Sequence, residues 1–180
     1  GSRIEFSPDG SADFYAACRI GASAFSTDQD SATALTLGDD SYAEIPVLDG
    51  KQIYMYGVPF SSVFVSSNGG VTFGQADIYY LESLLSHFEI GPRVSAYWDD
   101  LSPNVSGKIT HEQLSDRMVI TWDSLPEYNV GGTNSFQLEL FFNGNIALSD
   151  MYSAALLRPP VFLFHCLNHF EGKTYCTFTS

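Results

Sequence analysis

The chain has 180 residues, 44% of them hydrophobic and 14% aromatic, which is enough apolar mass for one domain with a sizeable core and excludes a disordered chain. Its formal net charge is −13, from 8 basic against 21 acidic residues. That balance excludes nucleic acid, anionic membrane surfaces and strongly sulfated glycans as partners, since each needs Lys and Arg to meet its charge. No run of about 18 apolar residues is present, so no membrane insertion is expected. An acidic surface with few lysines suits a soluble extracellular protein. Gly1-Ser2 reads as a remnant of cloning, and the chain as an excised module with flanking domains in a larger parent.

Ile4-Glu5-Phe6 reads as a first strand, closed by the turn Ser7-Pro8-Asp9-Gly10. Asp13 to Ile20, which contains Cys18, fits a short strand or a helical turn. The acidic stretch Ser26 to Ser31 reads as loop, and Thr33 to Leu37 alternates as a strand does. Four short runs rich in aromatic and β-branched residues follow: Tyr42 to Val47, Ile53 to Tyr56, Ser62 to Ser66 and Val71 to Phe73. Asp49-Gly50, Gly57 to Pro59 and Asn68-Gly69 separate them. Asn-Gly is the preferred pair of a type I′ hairpin, so Val63 to Val65 is expected to fold back on Val71 to Phe73.

One helix is expected next, with Asp77 as N-cap, Leu81, Leu84, Leu85 and Phe88 as a buried stripe, and Gly91-Pro92 as its end. Arg93 to Leu101 then reads as a half-buried strand running into an Asp99-Asp100 corner, with Trp98 and Trp122 as core residues. Lys108 to Glu112, Arg117 to Trp122 and Phe136 to Phe142 are further strands, with Tyr128 to Thr133 as a connecting loop. The alternation of Phe136-Gln137-Leu138-Glu139-Leu140 predicts an antiparallel sheet with one wet face. Asn143-Gly144 returns the chain through Ile146 to Leu148. After Arg158-Pro159-Pro160, the apolar run Val161 to Leu167 is expected to pair with Thr174 to Phe178. The whole reads as an all-β, mostly antiparallel sandwich, jelly-roll-like, with one short helix. Residues 1–40 pack on a 41–150 core and 151–180 add a C-terminal hairpin, all in one domain.

Four stretches taken together carry a resemblance to a module of large secreted bacterial proteins, and more distantly to nidogen-type (NIDO) extracellular domains. They are Val63 to Gly74, Pro92 to Leu101, Asp116 to Trp122, and Asn134 to Leu138 with Asn143 to Ile146. The resemblance covers roughly residues 40–150. It implies a β-sandwich that accompanies proteases, glycoside hydrolases or adhesive repeats, and it brings no catalytic residues to carry over.

The candidate sites are acidic and aromatic. Asp28, Asp30, Asp39, Asp40, Asp99 and Asp100 offer the hard oxygen ligands that calcium takes from flexible loops, although a solvated or self-capping role is the simpler account of each. Tyr97, Asp99, Asp100, Tyr128 and Asn129 are candidate ligand-binding residues, because flat rings beside Asp and Asn are what a sugar site uses. Cys166 and Cys176 form a candidate disulfide across the last hairpin, with Cys18 as the spare thiol; the alternative is a zinc site with His165 and His169. No Gly-x-Ser-x-Gly stretch, phosphate-cradling glycine loop or oriented Cys–His pair is present. The expected function is a non-catalytic recognition or adhesion module, secreted or at the cell surface, that binds glycan or an extracellular protein. A calcium-stabilised spacer domain is the alternative. A jelly-roll glycoside hydrolase is third, and would need two carboxylates such as Asp100 and Glu139, or Asp123 and Glu127, facing each other across one cleft.

Overall fold

A computed structural model describes residues 1–11, 14–81, 83, 87, 91–151, 162–164 and 177–178. Fifteen strands are described: β1 (Ser2–Pro8), β2 (Tyr15–Gly21), β3 (Thr33–Leu35), β4 (Tyr42–Pro46), β5 (Ile53–Met55), β6 (Val58–Phe60), β7 (Ser62–Ser66), β8 (Gly70–Thr72), β9 (Arg93–Ser95), β10 (Lys108–Gln113), β11 (Arg117–Glu127), β12 (Gly131–Phe141), β13 (Ile146–Asp150), β14 (Phe162–Phe164) and β15 (Thr177–Phe178). They form an antiparallel sheet in the order β2-β1-β13-β12-β11-β10-β3, a second in the order β15-β14-β9-β8-β7-β4, and the small hairpin β5-β6. The protein is an all-β sandwich. Strands from the first forty residues join the first sheet, and β14 and β15 join the second beside β9.

The core lies between the two sheets. From the first come Ile4, Phe6, Ile109, Met118, Ile120, Trp122, Phe136, Leu138 and Leu148; from the second, Ile45, Val63, Val65, Val71 and Val94. These are the alternating apolar positions of their strands, which is how a period of two fills one face. Trp122 ties the layers together. Its ring stacks on Phe136 at 5.0 Å, and its indole N–H donates across the interface to the Ser66 carbonyl at 3.0 Å, so the buried polar tip is satisfied.

Several local expectations are corrected. The two Asn-Gly hairpins are not two-residue type I′ turns. Three residues separate β7 from β8, and Phe141 N–H donates to the Asn145 carbonyl around three more; the glycine, Gly69 (φ +79°) or Gly144 (φ +92°), takes the left-handed position in each. This is the three-residue hairpin loop, in which only the last residue needs positive φ. The two-residue turn is at Tyr56-Gly57, both with positive φ, where Gly57 to Pro59 was expected only to separate strands; Val58–Phe60 is instead β6. The expected 128–133 loop shrinks to 128–130, because β11 and β12 continue pairing past a bulge at Trp122–Leu125, and Leu125 still pairs with Asn134.

The stripe and the wet face also differ. Asp77 does not cap a helix. One of its carboxylate oxygens accepts the Tyr79 N–H and the other lies 2.6 Å from the Arg93 guanidinium. Leu81 is exposed rather than buried. A helical hydrogen bond runs from His87 N–H to the Ser83 carbonyl, while Leu84, Leu85 and Phe88 fall outside the described residues. Nor is the outer face of the first sheet wet where the alternation predicts it: Gln137 and Glu139 are both buried. Residues 22–32 cross that face as a strap. Gln137 donates to the Thr27 carbonyl at 2.8 Å, Thr27 and Ser26 hydroxyls donate to Glu139, and Gln29 bonds Thr110 and Asp123. The alternating polar positions are therefore dry and hydrogen-bonded, as buried polar groups must be.

Trp98 is buried but stands apart from the main core. It packs on the Arg93 guanidinium at 4.2 Å and on the His87 ring at 5.8 Å, and its indole N–H donates to the Tyr79 carbonyl. Trp98→Ala would remove the lid of the buried Arg93–Asp77 pair along with its own contacts. A loss of about 3–5 kcal/mol, typical of large aromatic truncations, is expected in urea denaturation. An unchanged midpoint would place Trp98 outside any packed cluster.

Candidate functional site

The site is built on the tip of the β7–β8 hairpin. Gly69 must be glycine: its φ is +79°, and a Cβ there would sit 1.6 Å from the Tyr97 carbonyl oxygen. That close approach lets the Gly69 carbonyl accept the N–H groups of both Ala96 and Tyr97, which docks the hairpin tip on the corner after β9. Beside it, Asn68 is 1% exposed and reaches in three directions. Its carbonyl accepts the Leu101 N–H at 3.1 Å, and its amide donates to Asp40 at 2.8 Å and to the Ile78 carbonyl at 3.4 Å. One buried side chain thus fixes the relative placement of the 38–41 turn, the Asp99-Asp100 corner and the 77–81 segment.

The consequence is an acidic cluster. Ligand oxygens of Asp39, Asp40 and Asp100 all lie within 4.8 Å of one another. Asp40 holds a left-handed φ of +45°, which a short polar side chain tolerates. Ser102 donates to Asp39 at 3.4 Å. The Asp100 carboxyl is pushed above the usual range, first by partial burial and then by the charges of Asp39 and Asp40. Three mutually repelling carboxylates at one point are the arrangement that a divalent cation relieves.

Exposed aromatic and apolar side chains flank the cluster. The extended β11–β12 hairpin carries Tyr128 to the same end, where its N–H donates to the Asp100 carbonyl at 2.8 Å; the Leu101–Glu127 bridge holds the two segments together. Tyr128 is 50% exposed, and Asn129 is exposed with a left-handed φ of +56°. In the segment tied to Asn68 through the Ile78 carbonyl, Ile78, Tyr79, Tyr80 and Leu81 are all exposed in succession.

Of the six expected calcium ligands, three come together: Asp39, Asp40 and Asp100. Asp99 instead caps its own corner by accepting the Asp100 N–H, and Asp28 accepts the Asp30 N–H within the strap over the first sheet, outside the cluster. Of the expected ligand-binding residues, Asp100 belongs to the cluster, Tyr128 bonds the Asp100 carbonyl through its backbone with Asn129 next in the chain, and Tyr97 is set apart. It is buried, stacks on Phe136 at 5.3 Å and donates its hydroxyl to Glu127. A strand through Arg93 to Leu101 with Trp98 on the core face would set Tyr97 on the other, but β9 ends at Ser95 and the chain turns it inward. Tyr79 and Tyr80, two of the loop aromatics that a sugar site could use, are exposed and follow Ile78, whose carbonyl accepts from Asn68. Cys166, Cys176, His165 and His169 lie outside the described residues, so the disulfide and zinc readings do too; β14 and β15 pair antiparallel, Phe162 opposite Phe178.

No facing carboxylate pair for hydrolysis forms from the residues expected to supply one. Glu139 is held on the outer face by Arg3 and by Arg117 at 2.8 Å, away from the Asp100 corner. Asp123 bonds Gln29, Ser124 and Ser135, whereas Glu127 accepts from Tyr97 and Asn134.

The fold and its acidic end describe an all-β sandwich module. The chain belongs to the NIDO-related family, whose model matches residues 16–155. This family is a non-catalytic type of module, and NIDO-type domains are typically extracellular. No curated protein and no solved structure matches the chain. Among the described residues, no helix is long and apolar enough to cross a membrane.

Proposed function

We propose that this chain is an extracellular recognition module, secreted or cell-surface and part of a larger parent, that binds glycan at the Asp39–Asp40–Asp100 end of the sandwich with calcium as its cofactor. The observation that carries this reading is the convergence, around buried Asn68, of three carboxylates with exposed Tyr79, Tyr80 and Tyr128. Calcium takes six to eight oxygens, so three carboxylates leave positions for backbone carbonyls, water or sugar hydroxyls. Tyr79, Tyr80 and Tyr128 are exposed, and a flat apolar ring face is what a pyranose stacks on.

The test is binding of the purified chain to a broad glycan panel, with calcium and with chelator, for the unaltered protein and for Tyr128→Ala and Asp100→Asn. Saturable, calcium-dependent binding that both substitutions abolish is the expected result. The Asp100 shift gives a second readout. Because its folded pKa stands above the unfolded value, the ionised carboxylate costs stability at neutral pH, and that cost is relieved as pH falls through the raised value. In chelator, Asp100→Asn should therefore melt higher than the unaltered chain at pH 7, and the gap should close as the pH is lowered. Calcium should raise the melting temperature of the unaltered chain only.

The same three carboxylates favour a second reading, a calcium-stabilised spacer. A calcium-dependent rise in melting temperature with a blank glycan panel would select it. A protein ligand would instead appear as binding that Tyr79→Ala or Tyr128→Ala weakens without any glycan competing.

A further inference from the structure

We propose that the outer edge of β2 is a two-fold interface at which two copies of this chain pair antiparallel, with Cys18 opposite Cys18 of the second copy. Among the described residues, β2 is the terminal strand of the seven-stranded sheet, and its one hydrogen-bonded neighbour is β1. It is seven residues long, and Ala16, Ala17, Cys18, Arg19, Ile20 and Gly21 are all exposed. Sheet edges are ordinarily blunted by proline, bulges, brevity or inward charges, because an open row of N–H and C=O groups templates pairing with another chain. β2 has no proline, pairs with β1 without a register shift, and carries one charge, Arg19.

The hydrogen-bond parity of β2 limits the registers that a second copy can take. Asp9 N–H donates to the Phe14 carbonyl at 3.0 Å and Ala22 N–H to the Gly1 carbonyl at 3.3 Å, so these are bonded pairs in the antiparallel ladder. Bonded and non-bonded pairs alternate, which makes Glu5–Cys18 a bonded pair as well. The backbone groups of Cys18 therefore point to β1, and those of Ala17 and Arg19 point outward. Cys18 is also the midpoint of Tyr15–Gly21. A two-fold axis there pairs Ala17 with Arg19 of the second copy through the outward groups, and leaves Cys18–Cys18 as a non-bonded pair. Such pairs hold Cα atoms about 4.5 Å apart, inside the range of about 4.4–6.8 Å that a disulfide spans. A register shifted by one residue would put the bonded and non-bonded groups out of step.

Charge supports a second copy at this edge in particular. Two chains of charge −13 repel over most of their surfaces, and β2 contributes a cation and no carboxylate. One strand edge is small against the roughly 1,600 Å² of a stable interface, so the pairing without its covalent link is weak. The disulfide forms by two exchanges with a small-molecule disulfide such as oxidised glutathione. One Cys18 thiolate attacks it and releases one glutathione thiolate; Cys18 of the second copy attacks the mixed disulfide and releases the other. Two protein thiols are oxidised and one glutathione disulfide is reduced.

The experiment incubates the full chain with oxidised glutathione and maps cross-linked peptides by mass spectrometry. Amide hydrogen exchange is then read residue by residue on monomer and dimer. A Cys18–Cys18 species of twice the 19.8 kDa monomer is expected, with the Ala17 and Arg19 amides gaining about tenfold or more protection. In Ala16→Cys/Cys18→Ser, position 16 faces Ile20 of the second copy, and cross-linking there should be at least about tenfold slower through loss of effective concentration. Equal cross-linking at positions 16 and 18, a dimer without protection at Ala17 and Arg19, or Cys18 ending only as a glutathione adduct would each overturn the pairing.

Discussion

Gly69→Ala is expected to give the largest loss of stability of any single substitution outside the central core, about 4–5 kcal/mol or more, and, on the proposed function, to abolish calcium and glycan binding together. Two costs add at one position. The new Cβ meets the Tyr97 carbonyl oxygen at 1.6 Å, a backbone atom that has no rotamer to escape into, and the φ of +79° is strained for any residue with a side chain. Relief requires the hairpin tip to lift from the corner. Lifting it breaks both hydrogen bonds to the Gly69 carbonyl and moves Asn68, which holds Asp40 and Leu101 in place. Urea denaturation followed by tryptophan fluorescence measures the loss, with Trp122 bonded to Ser66 on the same hairpin as a local reporter. A midpoint within error of the unaltered chain would mean that the tip is not docked on Tyr97. Gly144→Ala, whose added Cβ meets only the Pro8 ring at 3.3 Å and the Tyr54 Cβ at 3.9 Å, is the control for positive φ without the backbone clash.

Glu139→Ala is the second. Glu139 is 1% exposed and receives Arg3, Arg117 and the hydroxyls of Ser26 and Thr27. Removing it takes the shared anion from two partly buried guanidinium groups, each of which keeps a more exposed carboxylate, Glu5 for Arg3 and Asp116 for Arg117, so the cost lies at or below the roughly 3–5 kcal/mol of a fully one-sided break. The strap would also lose its main anchor. Limited proteolysis within residues 22–32 should therefore accelerate, a change that a simple core cavity would not produce. Glu139→Gln keeps the shape and the hydroxyl acceptor but not the charge, and should fall between the two. If Glu139→Ala and Glu139→Gln lost equal stability, packing and not charge pairing would be the source. Neither substitution touches the Asp100 end, so calcium-dependent shifts should survive in whatever fraction remains folded.

The amino-acid sequence by itself determined the class of fold and much of its punctuation. Period-two alternation in stretches such as Phe136 to Leu140 and Val63 to Val65 has one low-energy outcome, a strand with one face in a core, and Asn68-Gly69 and Asn143-Gly144 supply the left-handed glycine that a tight return needs. It also marked Asp39, Asp40, Asp100 and Tyr128 as candidates, because carboxylates and rings in loops carry their chemistry in their identity. Three matters were decided only by tertiary structure, since they depend on contacts between residues far apart in the chain. Asp39 and Asp40 meet Asp100, some sixty residues away, through the side chain of Asn68, a residue that reads locally as no more than half of a turn signal. Tyr97 turns inward because β9 ends early and its backbone is captured by Gly69, an interaction that no periodicity encodes. And the outer face with Gln137 and Glu139 looks wet in alternation but is dry in the fold, because hydrogen bonds from the residue 22–32 strap replace those of water.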